Sequence, residues 1–231
     1  MKIGEELVEG VFLARDNRFR VTVEVDGSSV WAHLPNSGRL AELLIPGRRV
    51  VLVRREGRKR LTRFDLAMVE TPPVWVSVDA RLPNDLFEEA LRMGRVPAFA
   101  GYSSVRREVT FGQSRLDFLL EEHGRRPCLV EIKSVTLVID DLGFFPDAVT
   151  ERGRRHLAEL SEATKQGYRT AVVFVIQRND AQGLRPHDES DAAFGKALRQ
   201  AHSLGVEVHA FACRVEPDWI EFDRGLCVVL D

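Results

Sequence analysis

Two short apolar segments with charges set into them constrain this 231-residue chain more than any other feature. They are Arg115-Leu116-Asp117-Phe118-Leu119-Leu120 and Cys128-Leu129-Val130-Glu131-Ile132-Lys133, with Gly124 in the polar break between them. Both read as strands. A charge inside such a strand is costly unless it is paired or binds a metal, and here there are three: Asp117, Glu131 and Lys133. Glu131 and Lys133 are two apart, so on a strand they share a face. An antiparallel hairpin would bring Asp117 to the same edge. Two carboxylates and an ammonium at strand ends suit metal-assisted phosphodiester cleavage. Mg2+, or Mn2+ in its place, takes one or two carboxylates and completes its shell with water and phosphate oxygen. Lys133 would then orient the nucleophile or offset transition-state charge. Spacing alone leaves open a plain hairpin with a structural Glu–Lys pair.

The pattern Asp-x13-Glu-x-Lys resembles the motif of the PD-(D/E)XK nuclease superfamily, although Leu116 stands where that name has proline. Of 33 Lys plus Arg only five are lysine, and Lys133 is one of them. A chain so biased to arginine keeps lysine where a compact point charge is wanted, because the two are not interchangeable.

The remaining composition narrows the class. The amino terminus, Met1-Lys2-Ile3-Gly4-Glu5-Glu6, lacks the apolar run of a secretory leader. No stretch approaches the roughly 18 apolar residues of a membrane span. Cys128, Cys213 and Cys227 show no metal-ligand spacing and read as reduced thiols. A cytoplasmic, membrane-free protein is expected. The net charge of −2 hides a basic cluster, Arg48, Arg49, Arg54, Arg55, Arg58, Lys59, Arg60 and Arg63 against the single acid Glu56. Next to a nuclease-like motif, a surface that tracks phosphates is the functional reading, and a solvated hairpin tip is the alternative.

In chain order, Leu7–Ala14, Arg18–Val25 and Ser28–His33 read as strands, with Phe19, Val21, Val23 and Val25 on one face of the second and Asp26-Gly27 as a hairpin turn. Ser37 is expected to cap a short helix bearing Leu40, Leu43 and Leu44. Val50–Arg54 and Leu61–Val69 complete the order of an OB-like barrel, a fold often used for oligonucleotides. Trp31, Phe12 and Phe64 are candidate base-stacking residues there. Thr71-Pro72-Pro73 marks the expected boundary, giving domains 1–72 and 73–231. The second begins with a helix opened by Asp85-Leu86-Phe87-Glu88 as a capping box, on which Glu89 is a candidate metal ligand. Strands Val105–Phe111, Arg115–Leu120 and Cys128–Ile139 follow. A helix from Thr150 to Gln166 carries Arg152, Arg154, Arg155 and His156 at its start, where cations oppose the macrodipole unless an anion is bound. Gly153 falls on its buried stripe, allowing close packing on the sheet. Strand Ala171–Ile176, a polar loop over 178–190, helix Asp191–Leu204 and strand Val206–Ala212 close the list. The order from Asn84 matches an αβββαβ nuclease-like core with a mixed sheet.

The chain also resembles the sugar fermentation stimulation protein family along nearly its whole length. The resemblance is carried by His33-Leu34-Pro35-Asn36-Ser37-Gly38, Gly101-Tyr102-Ser103-Ser104, Arg115–Phe118, Val130–Leu137 and above all Phe145-Pro146-Asp147-Ala148-Val149-Thr150-Glu151-Arg152-Gly153. It implies an OB-like domain on a PD-(D/E)XK-like domain, with DNA binding favoured over RNA binding. It places Asp117, Glu131 and Lys133 in the catalytic core and Glu89, Asp117 and Glu131 around the metal, while the helix-start cations Arg152 and Arg155, with His156, are expected beside the nucleic acid on the macrodipole argument above. A homodimer is compatible with it. Two readings follow: a metal-dependent nuclease, or a non-catalytic DNA-binding regulator of sugar (maltose) metabolism that keeps the nuclease fold as a scaffold.

Overall fold

Strands with inward apolar and outward polar residues close on themselves in the first third of the chain. In the computed structural model, which describes residues 1–57 and 60–231, β1 (Leu7–Asn17), β2 (Arg20–Val25), β3 (Ser28–His33), β4 (Arg49–Arg54), β5 (Phe64–Thr71) and β6 (Val74–Ser77) form one sheet. β1 pairs antiparallel with β2 and β4, and parallel pairing of Ala32 with Phe64 and His33 with Asp65 closes the barrel between β3 and β5. Asp26 and Gly27 both take positive φ, as a two-residue hairpin of this type requires. Phe12, Val21, Val23, Leu52 and Phe64 fill the interior.

Three expectations change here. The segment after Ser37 makes a single turn, Leu44 N–H to Leu40 C=O at 2.9 Å, and no helix. Leu40 in a left-handed conformation on one side and Pro46-Gly47 on the other leave no room for a second turn, although Leu40 and Leu43 are buried as expected. The sheet continues past Thr71-Pro72-Pro73 into β6, which pairs with β5, so the expected boundary at residue 72 falls within a hairpin. Phe19 leaves the inward row of β2 and sits exposed in the β1–β2 turn.

The second unit comprises α1 (Leu82–Arg92), a 3-10 turn (Pro97–Phe99), β7 (Ser104–Phe111), β8 (Ser114–Glu121), β9 (Cys128–Val135), β10 (Val138–Ile139), β11 (Leu142–Phe145), α2 (Glu151–Lys165), β12 (Arg169–Ile176), β13 (Gly183–Pro186), α3 (Asp188–Ser203), β14 (Glu207–Glu216) and β15 (Trp219–Val228). The nine strands form one mixed sheet in the order β10-β11-β13-β15-β14-β12-β9-β8-β7. β12, flanked by parallel β9 and β14, is apolar on both faces because both are covered. One face packs under α1 around Phe87, Phe99 and Phe118, the other under α2 and α3 around Leu160, Phe174 and Phe194.

α1 starts at Leu82 rather than Asp85, with Pro83 in the first turn where its missing N–H costs nothing. Asp85 caps nothing and pairs with Arg107 at 2.6 Å. The polar loop expected over 178–190 contains β13, and the expected extension of β9 turns back at Asp140-Asp141 into β11. These short strands lack the apolar alternation that reveals longer ones. Gly153 allows close approach to a neighbouring helix rather than to the sheet: a Cβ there would lie 3.1 Å from the ring of Phe194 on α3.

The barrel and the second sheet share a core. The inner side chains of β4 and β5 fill the barrel, while Val51, Val53, Ala67 and Met68 on their outer side join Phe118, Phe211 and Ile220. The seam is also hydrogen-bonded: the Ser77 N–H donates to Gln177 C=O at 3.0 Å, and Ser77 Oγ lies 2.9 Å from Gln177 Oε1.

Candidate active site

The β8–β9 ladder stops where the charges begin. Backbone pairing runs from Leu120–Cys128 to Phe118–Val130. The next donor, Ile132 N–H, is taken at 2.7 Å by Asp117 Oδ2, so the carboxylate replaces a backbone acceptor. Asp117 Oδ1 accepts from Asn84 Nδ2 of α1 at 2.9 Å. Burial and the nearby charge of Glu131 push the Asp117 carboxyl above its ordinary range, against the pull of these two hydrogen bonds and of Lys133.

Glu131 lies in the interior, 3% exposed. Its Oε1 accepts from Lys133 Nζ at 2.6 Å and from His156 Nδ1 of α2. Arg152 Nε, one turn earlier on α2, donates to His156 Nε2 at 3.3 Å. The ring nitrogen that accepts from arginine must carry the lone pair, so the proton sits on Nδ1 and points at Glu131. Burial works against the Glu131 carboxylate, yet Lys133 and His156 hold its pKa below the ordinary value. Glu131 Oε2, also buried, has no hydrogen-bond partner. A buried carboxylate oxygen without a donor is costly, and a hard cation satisfies it. Among the described residues no three or more His, Cys, Asp or Glu side chains gather as a cage. Asp117 and Glu131 therefore fit a divalent ion that draws the rest of its shell from solvent and substrate.

Lys133 opens onto a cleft of about 500 Å3 between the barrel and the second sheet, lined also by Arg18, Ser37, Asp147 and Arg152. Asp147 closes its back: Oδ2 accepts from the Arg39 N–H at 2.7 Å, with the Leu40 N–H at 3.4 Å. The start of α2 is fixed from behind. Thr150 Oγ1 accepts from Gly153 N–H, and buried Asp191 accepts from Thr150 N–H at 2.9 Å and Arg154 Nη1 at 2.8 Å. Asp191 also takes Phe194 N–H at 3.0 Å, capping the longer part of α3 at a kink.

The structure thus gathers Asp117, Glu131, Lys133, His156 and Arg152. It does not bring Glu89 to them. That side chain faces the chain start, 3.4 Å from the Met1 amino group, and Asn84 is the α1 residue that reaches Asp117. Arg155 is exposed with no carboxylate partner among the described residues. The basic cluster is largely internally neutralised. Arg49 pairs with Glu9 and Glu70, Arg54 with Glu6, and Arg55 and Arg60 with buried Asp65, while Arg48 donates to the Glu42 carbonyl and Thr71. Arg58 and Lys59 lie outside the described residues. Phe12 and Phe64 are core residues, whereas Trp31 is 55% exposed. Sequence reasoning missed Asn84, Asp147 and Asp191. Asp147 stood inside the most distinctive run and Asn84 just ahead of the helix expected from Asp85, but only the fold shows whom they touch.

The closed barrel and the carboxylate–lysine edge define an OB domain joined to a restriction-endonuclease-like α/β domain. The chain matches the family model described as the SfsA N-terminal OB domain over residues 13–78, and the Sugar fermentation stimulation protein RE domain over residues 81–219. It belongs to the sugar fermentation stimulation protein (SfsA) family. A sugar fermentation stimulation protein homolog of Natranaerobius thermophilus is 45% identical over 97% of this chain and 95% of its own length. Another, from Caldanaerobacter subterraneus, is 42% identical over the whole of both. The structure of Pyrococcus furiosus SfsA in complex with Ca2+ is 30% identical, covers 99% of this chain and 98% of its own, and superposes with a TM-score of 0.91. No helix is long and apolar enough to cross a membrane among the described residues.

Proposed function

We propose that this protein is a metal-dependent nuclease that cleaves phosphodiester bonds in nucleic acid, DNA in preference to RNA. The observation that carries this reading is Glu131, buried, bonded through one oxygen to Lys133 and His156 and left without a partner at the other. Asp117 and Glu131 would hold the cation, Mg2+ or Mn2+. A relative of the same fold is described in complex with Ca2+, and a site of hard oxygen ligands accepts such ions. When bound, the ion supplies Lewis-acid polarisation of a phosphoryl oxygen. The chain's own groups do the rest. Lys133 places an ammonium at the cleft wall where negative charge would develop, and Arg18 and Arg152 line the same cleft as phosphate partners. His156, its proton committed to Glu131, fixes that carboxylate's rotamer rather than moving a proton.

The test is cleavage of labelled single- and double-stranded DNA and RNA with Mg2+ or Mn2+, with Glu131→Gln and Lys133→Ala beside the wild type. The expected result is cleavage by the wild type and a loss of at least about a hundredfold in both variants with binding retained. Activity that is equal in all three would remove the site assignment. The regulator reading draws on one observation: Lys133 is already paired with Glu131, and both Asp117 oxygens already accept hydrogen bonds. Binding without cleavage under either metal would select it.

A further inference from the structure

The exposed aromatic residues of the barrel are not scattered. β2 and β3 pair so that Thr22 faces Trp31 and Arg20 faces His33, which puts Arg20, Thr22, Trp31 and His33 on the outer face. Trp31 is 55% exposed and Phe19, in the adjoining turn, 47%. The guanidinium of Arg20 lies over the Trp31 ring, 4.4 Å from its centroid, and that of Arg18 over the Phe19 ring at 5.4 Å. Phe19 and His33 are 6.3 Å apart. The acids nearby are Asp16, which accepts from Thr22 Oγ1 and lies 3.5 Å from Arg20, and exposed Glu24 at the far end. Arg18 has no carboxylate partner among the described residues, and it also lines the cleft that holds Lys133 and Arg152.

Resting on the nucleic-acid reading above, we infer that this face is a stacking track for single-stranded nucleic acid, with unpaired bases on Trp31 and Phe19 and phosphates on Arg20 and Arg18, leading into the cleft at Lys133. Two physical points select this occupant. An exposed ring with a cation against it offers a flat, sequence-tolerant platform flanked by positive charge, which matches a base beside its phosphate. A duplex cannot use it, because interior base pairs already cover both faces of every base. The track also continues into the proposed active site through one residue, Arg18, whereas the basic tip beside β4 and β5 spends most of its described arginines on internal acids.

The experiment is fluorescence anisotropy without divalent ions at low salt. A labelled 15-nucleotide oligo(dT) and a 15-base-pair duplex are titrated with the full chain and with Trp31→Ala, Trp31→Phe and Phe19→Ala. Each substituted side chain is about half exposed, so the fold survives, as thermal melting will verify. The expected result is tighter binding of oligo(dT) than of duplex, about tenfold weaker oligo(dT) binding in each alanine variant, and most of it restored in Trp31→Phe. Unchanged oligo(dT) affinity in both alanine variants would overturn the track while leaving the nucleic-acid reading intact. A wild type that prefers the duplex would overturn the single-strand assignment alone. A wild type that binds neither probe would bring down the nucleic-acid reading and this inference with it.

Discussion

The Asn84 amide donates to Asp117 Oδ1 at 2.9 Å, tying the first helix of the α/β domain to the carboxylate at the end of β8. Even with this bond and the one from Ile132, burial and the charge of Glu131 keep the Asp117 carboxyl above its ordinary pKa. A carboxyl raised in the fold weakens the protein as it ionises, so at neutral pH Asp117 is a local cost. Asp117→Asn removes that charge, and the Asn84 amide can turn to present its oxygen. The variant should melt higher than the wild type without metal, by about 2–4 °C for about 1 kcal/mol. Divalent ion should narrow the gap by stabilising only the wild type, and cleavage should vanish. Calorimetric melts with and without Mg2+ measure the first two, and cleavage of labelled substrate measures the third.

Glu131 has the opposite sign. Its pKa is held below the ordinary value by Lys133 and His156 despite burial, so its contribution is full above the unfolded-state value and is lost as pH falls through the folded one. Glu131→Gln should cost about 3 kcal/mol at pH 7, since it leaves the Lys133 ammonium without its partner. The difference should begin to narrow as pH falls past the ordinary glutamate value and close as the wild-type carboxylate protonates below it. Urea denaturation midpoints across pH 3–8 decide this; a gap that widens in acid would refute the pairing as the source.

Asp191 serves two helices at once. Its carboxylate accepts from the backbone of Thr150 and Phe194 and pairs with Arg154. Asp191→Ala should cost about 4 kcal/mol, the sum of about 1 for a lost cap and about 3 for a broken, largely buried ion pair. Asp191→Asn should recover part of it, because the amide oxygen can still cap one helix. Because α2 carries His156 and Arg152 to Glu131, the alanine variant should also lose hydrogen-exchange protection at the start of α2.

The sequence made the hairpin of β8 and β9 legible because a charge in an apolar strand is conspicuous and because side chains two apart on a strand share a face. Glu131 and Lys133 meet at 2.6 Å for that reason. The barrel was legible from alternation in β2 and from turn residues such as Asp26-Gly27. Elements of two to four residues, β10, β11 and β13, were not, since a period cannot be counted over so few positions. Phe19 follows the alternation of β2 by number but precedes the strand in space, and only the turn reveals it as exposed. The basic cluster misled for a different reason. Its neutralising acids come from β1 and β5 (Glu9, Asp65 and Glu70) and from Glu6 just before β1, and are gathered by the sheet, so local counting overstated its free charge. Asn84 illustrates the limit: a polar residue near a helix start has no visible target until the helix is docked.

The contact of Asp147 with the barrel loop joins the two walls of the cleft and gives the last prediction. Asp147 Oδ2 takes the backbone N–H of Arg39 at 2.7 Å, and a Cβ built on Gly38 would lie 2.5 Å from that same oxygen. Gly38→Ala therefore cannot be accommodated without moving Asp147 or the loop, because the obstruction is a short side chain already held by a hydrogen bond. Asp147→Ala removes the acceptor and keeps the space. Both should cost about 1–2 kcal/mol, and both should lower hydrogen-exchange protection at Arg39 and Leu40 while the β4–β5 amides keep theirs, since the shared core of Val51, Val53 and Met68 still joins the two units. The double variant Gly38→Ala/Asp147→Ala discriminates the cause. Once the carboxylate is gone the nearest atom left to the alanine methyl is Asn36 Oδ1 at 3.1 Å, which a shift of a few tenths of an ångström relieves, so the double should lie close in stability to Asp147→Ala alone. Additive losses would mean that Gly38 is needed for loop conformation rather than for the approach of Asp147.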